Sequence, residues 1–203
     1  MLVRAIVWSY AGKIIRQIGT FGVSIVLARL LAPEEFGAAG IVLALIAMVN
    51  VIVDFGFGGA LLQRKDFDDK LASSIFYFSV FVGLVMFTIA QFGARYIAEI
   101  YSLPELEDAI RLMAISFVIT PLLGVLQIKM EKALRFDLIV KQLLPASLIS
   151  GLGAILAAFL EYGVLSLIIQ NLLLNVSLTF FLWKKERWLP RHRFATVDAG
   201  DRI

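Results

Sequence analysis

Five polar residues set in apolar stretches are those whose chemistry stands out in this sequence. Lys13, Arg16 and Gln17 fall in one such stretch, and Asn50 and Asp54 fall in the next. Cationic side chains bind phosphate through charge-assisted hydrogen bonds, while amides and hydroxyls suit sugar. The residue types therefore indicate a cationic cleft whose ligand-binding residues are Lys13, Arg16, Gln17, Asn50 and Asp54.

Helical spacing indicates which of these side chains share a face. The first stretch repeats polar residues at steps of three and four: Lys13, Arg16, Gln17, Thr20 and Ser24. Such steps place them on one side of a helix. In the second stretch Asn50 and Asp54 continue a face of small residues, which are Gly40, Ala44 and Ala47. We expect close helix packing along that small face and a pair between Asp54 and Arg16.

A second interpretation of Lys13 and Arg16 stays open. Both lie near one end of their stretch, from which long cationic side chains can reach lipid headgroups. Deeper polar residues on the same face favour a ligand role for Arg16, because a headgroup contact does not need them. For the hydroxyls of the later stretches, we expect contacts that hold helices together, whereas for the amides a helix contact and a sugar contact both stay open.

The elements that position these residues are predicted to be transmembrane helices. Hydrophobic residues make up 60% of the chain and the mean hydropathy is +0.88, against roughly 45–50% apolar residues in soluble domains. Six stretches are long enough for a helix to cross the lipid: about 10–31, 35–57, 73–97, 109–130, 139–160 and 163–183. The sequence predicts an all-α integral membrane bundle over residues 1–190, followed by a polar cytoplasmic tail over 191–203.

Charge distribution predicts how the bundle sits in the membrane. Of the 19 Lys and Arg residues, all but Arg29, Arg95 and Arg111 lie in or near the termini and alternate connections that share one side. Positive residues in short loops stay on the cytoplasmic side, so both termini are predicted to be cytoplasmic. The same placement explains the basic balance by contact with the lipid bilayer, and no nucleic-acid partner is expected.

Catalytic chemistry has little support in this sequence. The chain has no cysteine, and its one histidine, His192, lies in the polar tail. A membrane enzyme would need carboxylates or histidines that converge at one interface. We therefore expect no enzyme activity, no catalytic residues, no metal site and no cofactor.

Three segments resemble a known family. They are 28–37 (ARLLAPEEFG), 54–65 (DFGFGGALLQRK) and 134–137 (LRFD). In this order they are similar to segments of the Wzx-type oligosaccharide flippases, which belong to the multidrug, oligosaccharidyl-lipid and polysaccharide exporter superfamily. The resemblance covers nearly the whole chain.

The resemblance implies translocation of a polyprenyl-diphosphate-linked oligosaccharide across the bacterial inner membrane. It also implies two six-helix lobes around a central cavity, so this chain is expected to be the amino-terminal lobe, a partial or truncated form that does not transport alone. Its expected partners are the lipid-linked oligosaccharide and a second lobe or a copy of itself. Two alternatives stay open: a non-transporting membrane assembly subunit, and an ion-coupled drug exporter, for which Asp54 is the one suitable mid-membrane acid.

Overall fold

The computed structural model describes residues 2–54 and 69–186, and every regular element in these ranges is an α-helix. The helices are α1 Leu2–Leu30, α2 Pro33–Asp54, α3 Asp69–Tyr101, α4 Glu105–Met113, α5 Ser116–Lys132, α6 Phe136–Phe159 and α7 Val164–Glu186. Helices α4 and α5 form one apolar segment, so six segments are long and apolar enough to span a membrane. The prediction of an all-α bundle with six membrane-spanning segments is confirmed.

Two hydrophobic clusters lie at opposite ends of the bundle. We call one end the Pro33 end, where the connections 31–32, 102–104 and 160–163 lie, and the other the Arg135 end, where the connection 133–135 lies. The cluster at each end takes the name of that end. The Pro33 cluster is rich in small residues, among them Ala38, Ala39, Ala94, Ala98, Ala109, Ala154 and Ala158. Small side chains let helix backbones approach closely, which is how helices gain packing energy in lipid.

Tight turns at both ends are made by residues in the left-handed conformation. Ser102, Leu134 and Glu161 have φ values of 54°, 54° and 60°. At each one the following N–H returns to a carbonyl five residues earlier, as in the bond of 2.9 Å from Arg135 N to Met130 O. This is the Schellman pattern, which satisfies the last carbonyls of a helix. The chain therefore reverses direction within three or four residues.

The predicted fourth span, 109–130, consists of two helices separated by a break at Ala114 and Ile115. The N–H of Ile115 bonds to Leu112 O at 3.2 Å, so the carbonyl of Arg111 loses its usual helical donor. Gln91 of α3 replaces that donor, with its Nε2 3.0 Å from Arg111 O. A carbonyl left unpaired in a membrane is costly, so this amide stabilises the break.

The closest backbone approach between helices joins α3 to α5. Pro121 lies inside α5 and has no N–H, so the carbonyl of Phe117 lacks its helical donor. Gly83 of α3 packs directly on that carbonyl, and a β-carbon at Gly83 would overlap the Phe117 oxygen. Helices α5 and α6 continue through Pro121 and Pro145. Both helices contact several neighbours, and α6 packs against α1, which holds three of the five predicted ligand residues.

Candidate substrate-binding face

Helix α1 carries three of the five predicted ligand residues and packs chiefly against α6. Glycines allow this contact: a β-carbon at Gly12 would lie 2.8 Å from Val140 Cγ2, and one at Gly151 would lie 2.7 Å from Val23 Cγ2. The rest of the helix circumference is open, and its exposed residues include Lys13, Arg16, Gln17 and Thr20. Four side chains of the predicted polar face are thus exposed, while the fifth, that of Ser24, is half-buried.

A cavity of about 170 Å³ lies where α1, α5 and α6 meet near the Arg135 end. Lys13 and Arg16 line it from α1, while Gln127 and Glu131 line it from α5. Apolar side chains of α6 form the remaining wall. No hydrogen bond or ion pair joins these four polar side chains to one another. Their donors and acceptors are therefore available to a ligand that enters the cavity.

The other predicted ligand residues are placed differently. Gln17 is exposed on the same face of α1 but does not line the cavity. Asn50 is half-buried in α2, and its Oδ1 is buried without a hydrogen-bond partner in the described structure. Asp54 ends α2, and its side chain lies outside the part of the chain that the structure describes. The pair between Arg16 and Asp54 stays a prediction.

Helix α2 buries a different face from the expected one. Its buried residues are Ala38, Ala39, Val42 and Ile46. The small residues expected to pack closely, Gly40, Ala44 and Ala47, are exposed instead. Composition alone could not separate the two faces, because small residues occur on both.

Hydroxyl and amide groups of the later helices are mostly satisfied inside their own helix. Thr120 Oγ1 donates to Ser116 O at 2.8 Å, and Thr179 Oγ1 donates to Asn175 O at 2.7 Å. Asn175 Nδ2 donates to Asn171 Oδ1 at 3.3 Å. We expected the hydroxyls to connect different helices, but these bonds are local, as is common for Ser and Thr in apolar helices. They do not point to a sugar site.

Comparison with known protein families shows which family the chain belongs to. The family described as "Polysaccharide biosynthesis protein" matches residues 26–201 of the chain. The chain belongs to this family. The match begins in α1 and continues through all the other described helices.

Several curated proteins are similar to this chain at low sequence identity. The teichuronic acid biosynthesis protein TuaB of Bacillus subtilis is 27% identical over 71% of the chain and 30% of its own length. The lipopolysaccharide biosynthesis protein WzxC of Escherichia coli is 26% identical over 55% of the chain and 23% of its own length. The succinoglycan biosynthesis transport protein ExoT of Rhizobium meliloti is 26% identical over 95% and 39%. The chain thus spans about a third of the length of these relatives.

No solved structure matches this family member. Its six spans and the family match make it a multi-pass membrane protein of a polysaccharide biosynthesis family. The described residues contain no group of three or more His, Asp or Glu side chains that could hold a metal ion.

Two of the segments that resembled the flippases have clear structural roles in this family member. Glu35 Oε2 accepts a hydrogen bond of 2.7 Å from Ala32 N at the start of α2, the reciprocal half of a capping box. Gly163, at φ 51°, packs against the same carboxylate and joins the turns 31–32 and 160–163. At the other end Arg135 Nη1 lies 2.6 Å from Glu186 Oε1. The middle segment, 54–65, lies almost wholly outside the described residues.

Proposed function

We propose that this chain forms one six-helix lobe of a flippase for lipid-linked oligosaccharides. The substrate would be an oligosaccharide on polyprenyl diphosphate, moved from the cytoplasmic to the outer leaflet of the bacterial inner membrane. The names of the relatives support this proposal, because one is a succinoglycan biosynthesis transport protein and two are biosynthesis proteins for teichuronic acid and lipopolysaccharide. The proposal assigns no catalytic residues, because translocation breaks no covalent bond.

The observation that carries the proposal is the placement of Lys13 and Arg16 in a cavity at a predicted membrane span. Both side chains line a cavity and lack ion pairs with its other polar residues. Charged groups at membrane depth are costly and usually face an aqueous cavity or a partner. An arginine binds phosphate oxygens through two parallel hydrogen bonds, so a diphosphate headgroup suits this pair of cations.

Orientation follows from the charges at the two ends. The Arg135 end carries Lys129, Lys132, Arg135, Lys141, Lys184 and Lys185, whereas the Pro33 end carries Glu34, Glu35, Glu99, Glu105, Glu107 and Asp108. We place the Arg135 end and both termini in the cytoplasm by the positive-inside rule. The cavity then opens near the leaflet in which the substrate is made.

A second lobe is part of the proposal. Gln17 and Thr20 on the polar face of α1 are exposed and do not line the cavity, so a second lobe or another copy of the chain would supply the wall that faces them. Transport by the purified 203-residue chain as a monomer in liposomes would contradict this requirement. A measured monomer–dimer equilibrium in detergent would separate the two sources of the facing wall.

Substitution of Arg16 tests the function. In the transporter that contains this lobe, Arg16→Gln should lower flipping by roughly tenfold or more, because a charged hydrogen bond to phosphate is worth about 1.5–3 kcal/mol. Arg29→Gln is the matched control, since Arg29 is an exposed arginine in the last turn of the same helix. Flipping is measured as exposure of labelled lipid-linked oligosaccharide at the outer leaflet. Equal activity of the two variants would favour simple headgroup contact for Arg16.

A further inference from the structure

Glu131 is the one carboxylate among the described residues that line the cavity. It lies on α5, across the cavity from Lys13 and Arg16 of α1. With all three groups ionised, the cavity holds a net charge of plus one. Gln127 lies one helical turn before Glu131 on the same face of α5 and also lines the cavity.

Glu131 acts on this cavity through its charge. No hydrogen bond or ion pair joins it to either cation, so it leaves their donors unoccupied. Its negative charge still lowers the positive potential at the place where an anion would enter. Charges that are not bonded to one another still interact over several ångströms, and water or salt between them reduces the effect. The carboxylate therefore weakens the binding of any anion to Lys13 and Arg16.

A transporter gains from such weakening, because its ligand must leave as well as bind. Two unopposed cations in this cavity would hold a diphosphate tightly and slow its release. We infer that Glu131 sets the affinity of the cavity for the diphosphate headgroup and keeps it moderate. This inference rests on the proposed function, in which Lys13 and Arg16 bind that headgroup.

Moving the charge by one turn of α5 gives the test. Farnesyl diphosphate serves as the probe, and its dissociation constant is measured by titration calorimetry with the chain in detergent micelles at fixed ionic strength. Glu131→Gln should tighten binding by about tenfold, and Gln127→Glu should weaken it by about tenfold. The double variant Gln127→Glu with Glu131→Gln should return to within about twofold of the original constant, because the net charge is restored.

Asp137→Asn is the matched control. Asp137 lies at the start of α6, pairs with Lys141 at 3.6 Å and does not line the cavity. The substitution Asp137→Asn changes the net charge of the chain by the same amount as Glu131→Gln. It should leave the dissociation constant within about twofold of that of the original chain. Circular dichroism checks that each variant keeps its helices, and the two single changes act in opposite directions, so misfolding cannot imitate the expected pattern.

The possible results distinguish a failure of this inference from a failure of the proposed function. Equal binding by the original chain, Glu131→Gln and Gln127→Glu would overturn the inference, while loss of binding in Arg16→Gln would still support the proposed function. A shift in Asp137→Asn as large as in Glu131→Gln would also overturn it, because net charge alone would explain the effect. Binding that is detected in Glu131→Gln alone would support it. Absence of binding in every variant would overturn both.

Discussion

Helices α1 and α5 are held in the bundle in very different ways. In the span Glu105–Lys132, which contains α5, 56% of the most apolar stretch is buried, against 6% in Tyr10–Leu30 of α1. Helix α5 contacts α2, α3, α6 and α7, whereas α1 packs chiefly against α6. One helix is surrounded by protein, and the other presents most of its surface to lipid or to a partner.

The contrast shows which exposed residues need an explanation. Apolar side chains gain little by moving from lipid to protein, so exposed residues such as Ile14 and Ile18 are stable against acyl chains. Lys13 and Arg16 are not, because charged groups in lipid are costly. The open face of α1 therefore points to a polar environment at these two residues, and not to missing protein along the whole helix.

A matched pair of phenylalanine substitutions should give the largest difference between the two regions. Phe117 is 1% exposed in α5 and Phe21 is 63% exposed in α1. Phe117→Ala should lower the free energy of unfolding by about 3 kcal/mol, because it leaves a cavity in the Pro33 cluster. Phe21→Ala should change it by less than about 0.5 kcal/mol. Both values come from reversible unfolding in mixed detergent micelles, and similar losses would mean that α1 is buried as fully as α5.

Gly83 provides the next largest effect and tests the backbone approach between α3 and α5. Gly83→Ala places a methyl group on the Phe117 carbonyl oxygen, and backbone cannot move aside as a side chain can. The expected loss of stability is about 2 kcal/mol. Gly93→Ala is the control on the same helix, since no atom lies within 4 Å of its β-carbon. Thermal unfolding in detergent should show a clear drop for the first variant and none for the second.

The membrane-spanning segments could be predicted from the sequence because length and apolarity decide them residue by residue. The break at Ala114 and Ile115 could not. The break depends on Gln91, which lies on α3, 20 residues before Arg111 in the chain. Its side-chain amide donates to the Arg111 carbonyl in place of the missing backbone N–H. Local pattern carries no information about such a partner.

For the candidate site too, one part could be predicted from the sequence and another part could not. Helical spacing puts Lys13 and Arg16 on one face of α1, and the same spacing puts Gln127 and Glu131 on one face of α5. It could not say that these two faces meet, because this depends on how α1, α5 and α6 pack. The expected partner of Arg16 was Asp54, which is closer in sequence, whereas the described carboxylate in the same cavity is Glu131.

Gly19 should give the smallest effect, and one opposite in sign to that of Gly83. A β-carbon at Gly19 would lie 3.7 Å from Ser147 Cβ, an ordinary contact across the α1–α6 interface. Gly19→Ala should therefore raise the free energy of unfolding by about 0.5 kcal/mol, because alanine loses less backbone entropy than glycine on entering a helix. Gly22→Ala, which meets no atom within 4 Å, should give a similar gain and serves as the control. A loss at Gly19 comparable to that at Gly83 would show that α1 is packed as tightly as α3, and the contrast between the two regions would fail.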